Sequence, residues 1–272
     1  MRIATWNVNS LKARLPRVEE WLAQAEPDVL CLQETKLADD AFPQLTFAGL
    51  GYESVHHGNG QWNGVALLSR VGLGDVTSGF GDIDDPYGDD ARLVAATCGG
   101  VRVVSVYVPN GREVGSEFYE RKLVWLQSLR EWLATTAKPD DPIAVMGDFN
   151  VAPEDRDVWS PEAFVGATHV TPPEREAVAR LRDWGLVDAF REVYDQDQLF
   201  SYWDYRAGDF HNHRGMRIDL VMVTRPVAER VTWALIDRNA RKGKLPSDHA
   251  PVIIELADTS STRDGGDGGA TK

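Results

Sequence analysis

Cysteine is scarce. The 272-residue chain has two, Cys31 and Cys98, with no CxxC spacing and no His-rich partner segment. That excludes a disulfide framework and a cysteine zinc site. Both thiols lie in or beside apolar strand-like runs, as expected of buried free cysteines in a reducing cytosol. No apolar run approaches the ~18 residues that a membrane span needs, so no membrane partner is expected. Met1 leads directly into RIATWNV, which leaves no room for a signal peptide. The expected location is therefore cytoplasmic. Positive charge is also short, with 29 Lys and Arg against 42 Asp and Glu, a net −13. That sum argues against a uniformly basic nucleic-acid binder.

The distribution of charge matters more than its sum. Lys12, Arg14 and Arg17 fall in a segment without acids, as do Arg238, Arg241, Lys242 and Lys244. Arg206, Arg214 and Arg217 share theirs with Asp209 alone, while acids concentrate in Asp82 to Asp90 and at Glu154, Asp155 and Asp157. A locally basic face on an acidic body is compatible with this pattern. Its phosphate contacts would be Lys12, Arg14, Arg206, Arg214, Arg217 and Lys244.

Hydrophobic content of 43% and charged content of 26% suit a globular enzyme. Strand candidates are Arg2 to Val8, Val29 to Gln33, Asn63 to Arg70, Arg92 to Thr97 and Val101 to Val108. Ile143 to Met146, Phe200 to Trp203, Arg217 to Val223, Val231 to Ile236 and Pro251 to Leu256 follow. Helices are expected over Pro16 to Ala25, from a Ser116 cap to about Thr135, and near Glu174 to Trp184. In the second of these, Phe118, Trp125, Leu129 and Trp132 share a face and read as core. No repeat or long linker divides the chain. One α/β domain over residues 1–257, with packed sheets covered by helices, is expected. Residues 258–272 have almost no apolar side chains and should form a disordered tail.

Polar residues gather where these strands end. Asn7 with Asn9, Glu34, Asp148 with Asn150, and Asp248 with His249 close or open four of the runs, and Tyr107, Asn110 and Asp219 lie in or beside two more. Each alone could be a turn-former. Together they supply hard oxygen ligands for Mg²⁺, a histidine, and neutral donors for a phosphate. That inventory suits metal-assisted phosphodiester hydrolysis.

Seven motifs sharpen the reading. WNVNSLKAR (Trp6–Arg14), LQETK (Leu32–Lys36), YVPNG (Tyr107–Gly111) and GDFN (Gly147–Asn150) are followed by YWDYR (Tyr202–Arg206), RID (Arg217–Asp219) and SDHAP (Ser247–Pro251). In content and order the chain resembles exonuclease III-type AP endonucleases of the endonuclease/exonuclease/phosphatase superfamily, over residues 1 to 257. The resemblance implies a four-layer α/β sandwich, two packed mixed sheets flanked by helices. It implies a DNA-repair nuclease acting at abasic sites, with 3′→5′ exonuclease or 3′-phosphodiesterase activity. The cofactor would be Mg²⁺, with Mn²⁺ as a substitute, and the partner double-stranded DNA with abasic sites or 3′ ends, bound by a monomer.

Residue by residue, the resemblance makes Glu34 the metal ligand, supported by Asn7, Asn9 and Asp248. Asp148 orients or deprotonates the attacking water, and Asn150 holds the phosphate. His249, oriented by Asp219, contacts the scissile phosphate, with Tyr107 and Asn110 assisting. Tyr202, Met216 and Ile218 match an apolar pocket for a flipped-out abasic sugar, and Arg206 lies near an insertion position. Met216 stands where some members have Trp. The His211-Asn212-His213 string reads as a loop, and His56, His57 and His169 as surface residues. Competing readings keep the fold but place RNA or a phosphoinositide in the site, or make the chain a non-catalytic RNA-binding regulator. Glu34, Asp148, Asn150, Asp219 and His249 occurring together count against the last.

Overall fold

The computed structural model describes residues 1–88 and 90–258, so the expected tail, apart from Asp258, lies outside the described residues. The first half of the chain comprises β1 (Arg2–Asn7), α1 (Leu11–Ala25), β2 (Val29–Gln33), α2 (Gln44–Gly49), β3 (Glu53–His57), β4 (Val65–Ser69), β5 (Gly74–Ser78), β6 (Leu93–Cys98) and β7 (Val101–Tyr107). The second comprises α3 (Glu117–Thr136), β8 (Ile143–Asp148), α4 (Pro172–Trp184), β9 (Leu186–Asp188), α5 (Ala189–Val193), β10 (Asp219–Thr224), α6 (Arg225–Ala228), β11 (Val231–Ile236) and β12 (Val252–Leu256).

The strands form two six-stranded sheets, in the orders β11-β12-β1-β2-β4-β3 and β5-β6-β7-β8-β10-β9. Both are mixed, because β1 runs parallel to β2 and β7 to β8 among antiparallel neighbours. Alternation along each strand sends one set of side chains into the seam between the sheets and the other outward. Ile3, Val29, Cys31, Val65 and Leu67 of one sheet meet Val94, Val103, Ala144, Met146 and Val221 of the other. Outward, Ala4, Trp6, Leu30 and Leu32 pack under α1 and α2. Val104, Val106, Val145 and Leu220 pack under α3 and α4. This is the four-layer sandwich that the motifs imply.

The structure departs from the sequence expectations by adding the strands β3, β5 and β9 and the short helices α2, α5 and α6, and at three further points. Helix α1 starts at Leu11 and carries Pro16 inside it. Pro16 is exposed and has no N–H to give the Lys12 carbonyl one turn back. Phe200–Trp203 is no strand; Tyr202 makes only isolated bridges to Met216 and His249. On α3 the buried stripe is Tyr119, Lys122, Leu126, Leu129 and Leu133 with Trp125 and Trp132, while Phe118 stays half-exposed under the Arg112 guanidinium.

Gly147 is a point where the central strand of the second sheet leaves no room for a side chain beside its neighbour. Its φ is 151°, and a Cβ there would lie 1.9 Å from the Val106 carbonyl oxygen of β7. A backbone atom in a paired strand cannot step aside. Gly147→Ala is expected to cost ~3 kcal/mol or more in urea unfolding. A loss below ~1 kcal/mol would show that the β7–β8 pairing is slack at this point.

Candidate active site

The site is the open end of the inter-sheet seam. Ile3 and Thr5 of β1 face inward, and Asn7 continues that side. Val103 and Ser105 of β7 lead to Tyr107 in the same way, Ala144 and Met146 of β8 lead to Asp148, and Val223 and Val221 lead back to Asp219. Strand pairing then sets Asp148 between Tyr107 on one side and Asp219 on the other. Just inside the mouth, Gln33 bonds Thr5 at 3.0 Å and reaches Ser105 of the other sheet at 3.0 Å, so a buried polar layer fixes one sheet against the other.

Asp148 is 1% exposed and fully bonded. Its Oδ2 accepts from the Asn7 carboxamide at 2.9 Å, and its Oδ1 accepts from the Asn150 backbone N–H at 2.9 Å. The same Asn7 nitrogen donates to Glu34 Oε1 at 2.9 Å, so one carboxamide spans two carboxylates. Burial pushes the Asp148 carboxyl up to about 7, against the pull of His249 and with Asp219 and Glu34 adding to the rise. His249 Nδ1 donates to Asp219 Oδ2 at 2.8 Å, and its Nε2 lies 3.7 Å from Asp148. Burial alone would lower the imidazole, but Asp219 and then Asp148 outweigh it and raise His249 to about 10. Ser201 donates to the same Asp219 oxygen at 2.6 Å.

A second chain of contacts runs along the rim. Lys36 Nζ lies 2.8 Å from Glu34 and donates to Asn9 Oδ1 at 2.6 Å, and Asn9 donates to Asp248 at 3.1 Å. Burial works to raise Glu34, yet Lys36 and the Asn7 bond carry it below the usual carboxylate range. Glu34, Asp148 and His249 gather side-chain atoms within 4.8 Å of one another, and with His249 protonated the two carboxylates are the groups that can face a cation. Here four carboxylates, Glu34, Asp148, Asp219 and Asp248, stand around Lys36 and His249, and among the described residues buried Asp219 Oδ1 has no hydrogen-bond partner. A part-open, anionic, oxygen-rich donor set of this kind fits a hard divalent cation.

The neutral donors lie beside it. Asn150, at φ 50°, donates through its carboxamide to Val108 O at 2.9 Å, and Asn110 Nδ2 reaches Asn150 Oδ1 at 3.2 Å. Tyr202 has its ring 4.8 Å from that of His249. Met216 and Ile218 line an apolar cluster with Ala152, Val158, Phe164, Val170 and Tyr202. Arg206 alone among the expected residues stands apart, on an exposed turn and paired with Asp204.

The pattern that defines the Endonuclease/Exonuclease/phosphatase family matches residues 4–249. The chain belongs to that family. It is 33% identical to the exodeoxyribonuclease III of Haemophilus influenzae, across 94% of this chain and 100% of that protein. An AP endonuclease from Archaeoglobus fulgidus superposes with a TM-score of 0.90 at 36% identity, covering 94% of this chain and 99% of that one. The 3′ phosphatase NExo from Neisseria, bound to product DNA hairpin, does so at 0.90 and 37% identity, with the same coverage.

In this family member several residues matter that their own motifs do not reveal. Lys122 is fully buried on α3, ion-paired with Glu174, and donates to the Asn150 carbonyl at 2.7 Å and the Asn110 carbonyl at 3.3 Å. It anchors the backbone behind both carboxamides. Its signal in the sequence was a lysine on an otherwise apolar helix stripe. His169 and His56 are half-buried and bonded inward rather than free surface residues. His169 donates from Nδ1 to Asn150 O at 2.5 Å, and burial, then Lys122, lowers it to about 4. His56 has a side chain only 4% exposed. Arg217 cannot contact DNA, because it is buried and ion-paired with Asp157 at 2.7 Å and Asp188 at 2.8 Å. Lys12 and Lys244 are exposed, Arg14 bonds the Tyr205 hydroxyl, and Arg214 pairs with Asp209.

His249 makes stability depend on pH in a defined direction. A folded value near 10 against an ordinary 6.5 means its contribution is fully present below 6.5 and disappears as pH rises from there to about 10. In metal-free buffer, the urea midpoint should fall between about pH 6 and 9 more steeply for the wild type than for His249→Gln. Parallel curves would mean that the Asp219–His249 pair holds no extra proton.

Proposed function

We propose that this chain is a DNA-repair nuclease that hydrolyses phosphate esters at abasic sites or 3′ ends, with Mg²⁺ as cofactor and Mn²⁺ as its substitute. The observation that carries the reading is the buried Asp148 carboxylate, held between Asn7 and the Asn150 N–H, beside Glu34 and facing His249. The A. fulgidus AP endonuclease supports the abasic branch and the Neisseria 3′ phosphatase the 3′-end branch.

Each residue has a physical task. Glu34 holds the cation, with Asn7 and Asn9 beside it and Asp248 fixing Asn9. The bound cation supplies Lewis-acid stabilisation of charge on the phosphate. Asp148, its carboxyl raised towards neutrality by burial, orients the water and takes its proton. His249, kept protonated by Asp219, offers Nε2–H to a phosphate oxygen. Asn150, Asn110 and Tyr107 add neutral donors, which stabilise charge without bringing a carboxylate against the phosphate. Uncatalysed phosphate ester hydrolysis demands a barrier reduction of ~20 kcal/mol, more than any one of these groups supplies. Tyr202, Met216 and Ile218 form the apolar wall for a sugar turned out of the helix, and Arg206 extends the DNA face from its exposed turn outside that cluster.

Among the described residues no helix is long and apolar enough to cross a membrane. Both cysteines are free and buried, which supports a cytoplasmic location. We infer a monomer of one catalytic domain over residues 1–257.

The test is cleavage of labelled duplexes carrying one abasic site, a 3′ phosphate, or an ordinary recessed 3′ end, in Mg²⁺ or in excess EDTA. Product from at least one duplex in Mg²⁺ and none in EDTA is expected, with Glu34→Gln needing more cation than the wild type. Full activity in EDTA would overturn the metal assignment. Hydrolysis of RNA or phosphoinositide alone, or RNA binding without hydrolysis, would overturn the DNA reading.

A further inference from the structure

Glu34 and Lys36, which contact each other at the rim, share an uncommon backbone. Both are non-glycine residues with positive φ, at 51° and 52°, and Thr35 stands between them. Residues in this left-handed region persist where their surroundings over-determine them, and they cluster at working sites. The surroundings here are specific. Ser10 N–H donates to Glu34 O at 2.7 Å, Leu11 N–H to Thr35 O at 2.9 Å, Thr35 N–H to Gly64 O at 3.1 Å and Lys36 N–H to Asn63 O at 2.9 Å.

The Thr35 side chain adds one more tie, and it leads away from the catalytic mouth. Its hydroxyl lies 2.8 Å from His56 Nε2, and His56 Nδ1 lies 2.7 Å from Asp39 Oδ1. The carboxylate accepts only, so Nδ1 carries a proton towards it, and in the neutral ring Nε2 is an acceptor for the Thr35 hydroxyl hydrogen. The imidazole is stacked on Phe42, with centroids 4.4 Å apart and planes 17° from parallel. Gly64 closes the other side. With φ +89°, it would place a Cβ 2.1 Å from Thr35 Oγ1. Thr35 is fully buried, whereas the far end of the chain, Asp39, is 61% exposed. Among the described residues, the side-chain bonds of Thr35, His56 and Asp39 do not include Asp148 or His249.

We propose that Asp39 and His56, acting through Thr35, are positioning residues that hold the Glu34–Lys36 turn in the geometry for divalent-cation binding. The hydroxyl bond fixes the rotamer of the residue between two left-handed neighbours, and so fixes where the Glu34 carboxylate points. The inference rests on the metal reading given above. It differs from a simple fold staple in what it predicts. A staple would change how much protein folds, whereas a positioning relay changes the affinity of the folded protein for the cation.

The measurement is calorimetric titration of Mn²⁺ and of Mg²⁺ into the DNA-free full chain, with circular dichroism to confirm folding. Thr35→Val, which keeps the shape and loses the hydroxyl, should weaken binding by about tenfold, the lower end of what outer-sphere partners usually contribute. Thr35→Ser, which restores the hydroxyl, should stay within about threefold of the wild type. Thr35→Val binding as tightly as the wild type overturns the relay. If Thr35→Val does not fold, Asp39→Ala tests the same relay from its exposed end and should weaken binding by about threefold. Unchanged affinity there overturns the relay as well. A wild-type chain that takes up no cation, or a Glu34→Gln variant that binds it undiminished, overturns the metal reading itself and the relay with it.

Discussion

A carboxylate taken out of water keeps its charge only where donors or cations replace the lost solvation. Asp148 is the point at which this chain meets that condition only in part. It lies at the end of a central strand, between Tyr107 and Asp219, with Asn7 from the opposite sheet donating to it. The protein's own donors leave its carboxyl raised towards 7 rather than settled as an anion. A base poised near the working pH is well matched to taking a proton from water. Burial works against a proton on His249, but Asp219 and then Asp148 outweigh it and hold that proton firmly. Acid and base thus stand 3.7 Å apart, both raised by their surroundings but in the order of their ordinary values.

The seam between the sheets is what makes this arrangement rigid. Its apolar interior is a packed core, and its mouth is a polar continuation of the same side-chain alternation. Gln33, Thr5 and Ser105 bridge the sheets one layer below the catalytic groups, so neither sheet slides without disturbing both. Loops then carry the groups that a strand cannot place. The Asn110 and Asn150 carbonyls are both tied to buried Lys122. Core and site are therefore one construction, and substitutions at residues such as Gly147 reach the chemistry through the fold.

Much of this was legible in the sequence. The runs VRVVSVY and IAVMGD announce strands, and their inward positions, extended by one step, are Tyr107 and Asp148. The motif residues from Asn7 to His249 fall where strands end, and the structure brings all of them except Arg206 into one neighbourhood. The failures share a cause. Whether an ionisable side chain is buried depends on partners far along the chain. Arg217 looked like a DNA contact because Asp157 and Asp188 are 60 and 29 residues away. His56 looked like a surface residue because its partners are 17 and 21 residues away. Among the edge strands, β3 and β5 have no fully buried position to mark them, and β9 is only three residues long. Gly74 to Ser78 is exposed at every position and carries no apolar period to read.

The central claim is that Asp148 acts on the reacting water and does not merely close a turn. Single-turnover cleavage by Asp148→Asn in saturating Mg²⁺, on whichever duplex the wild type cuts, tests it most directly. Asparagine is nearly the same shape and still accepts from the Asn150 N–H, so a turn-former would be replaced almost without loss. Turnover should fall by at least ~10³-fold while duplex binding changes little, because the lost interaction belongs to the transition state. Cleavage by folded Asp148→Asn at close to the wild-type rate would contradict the account.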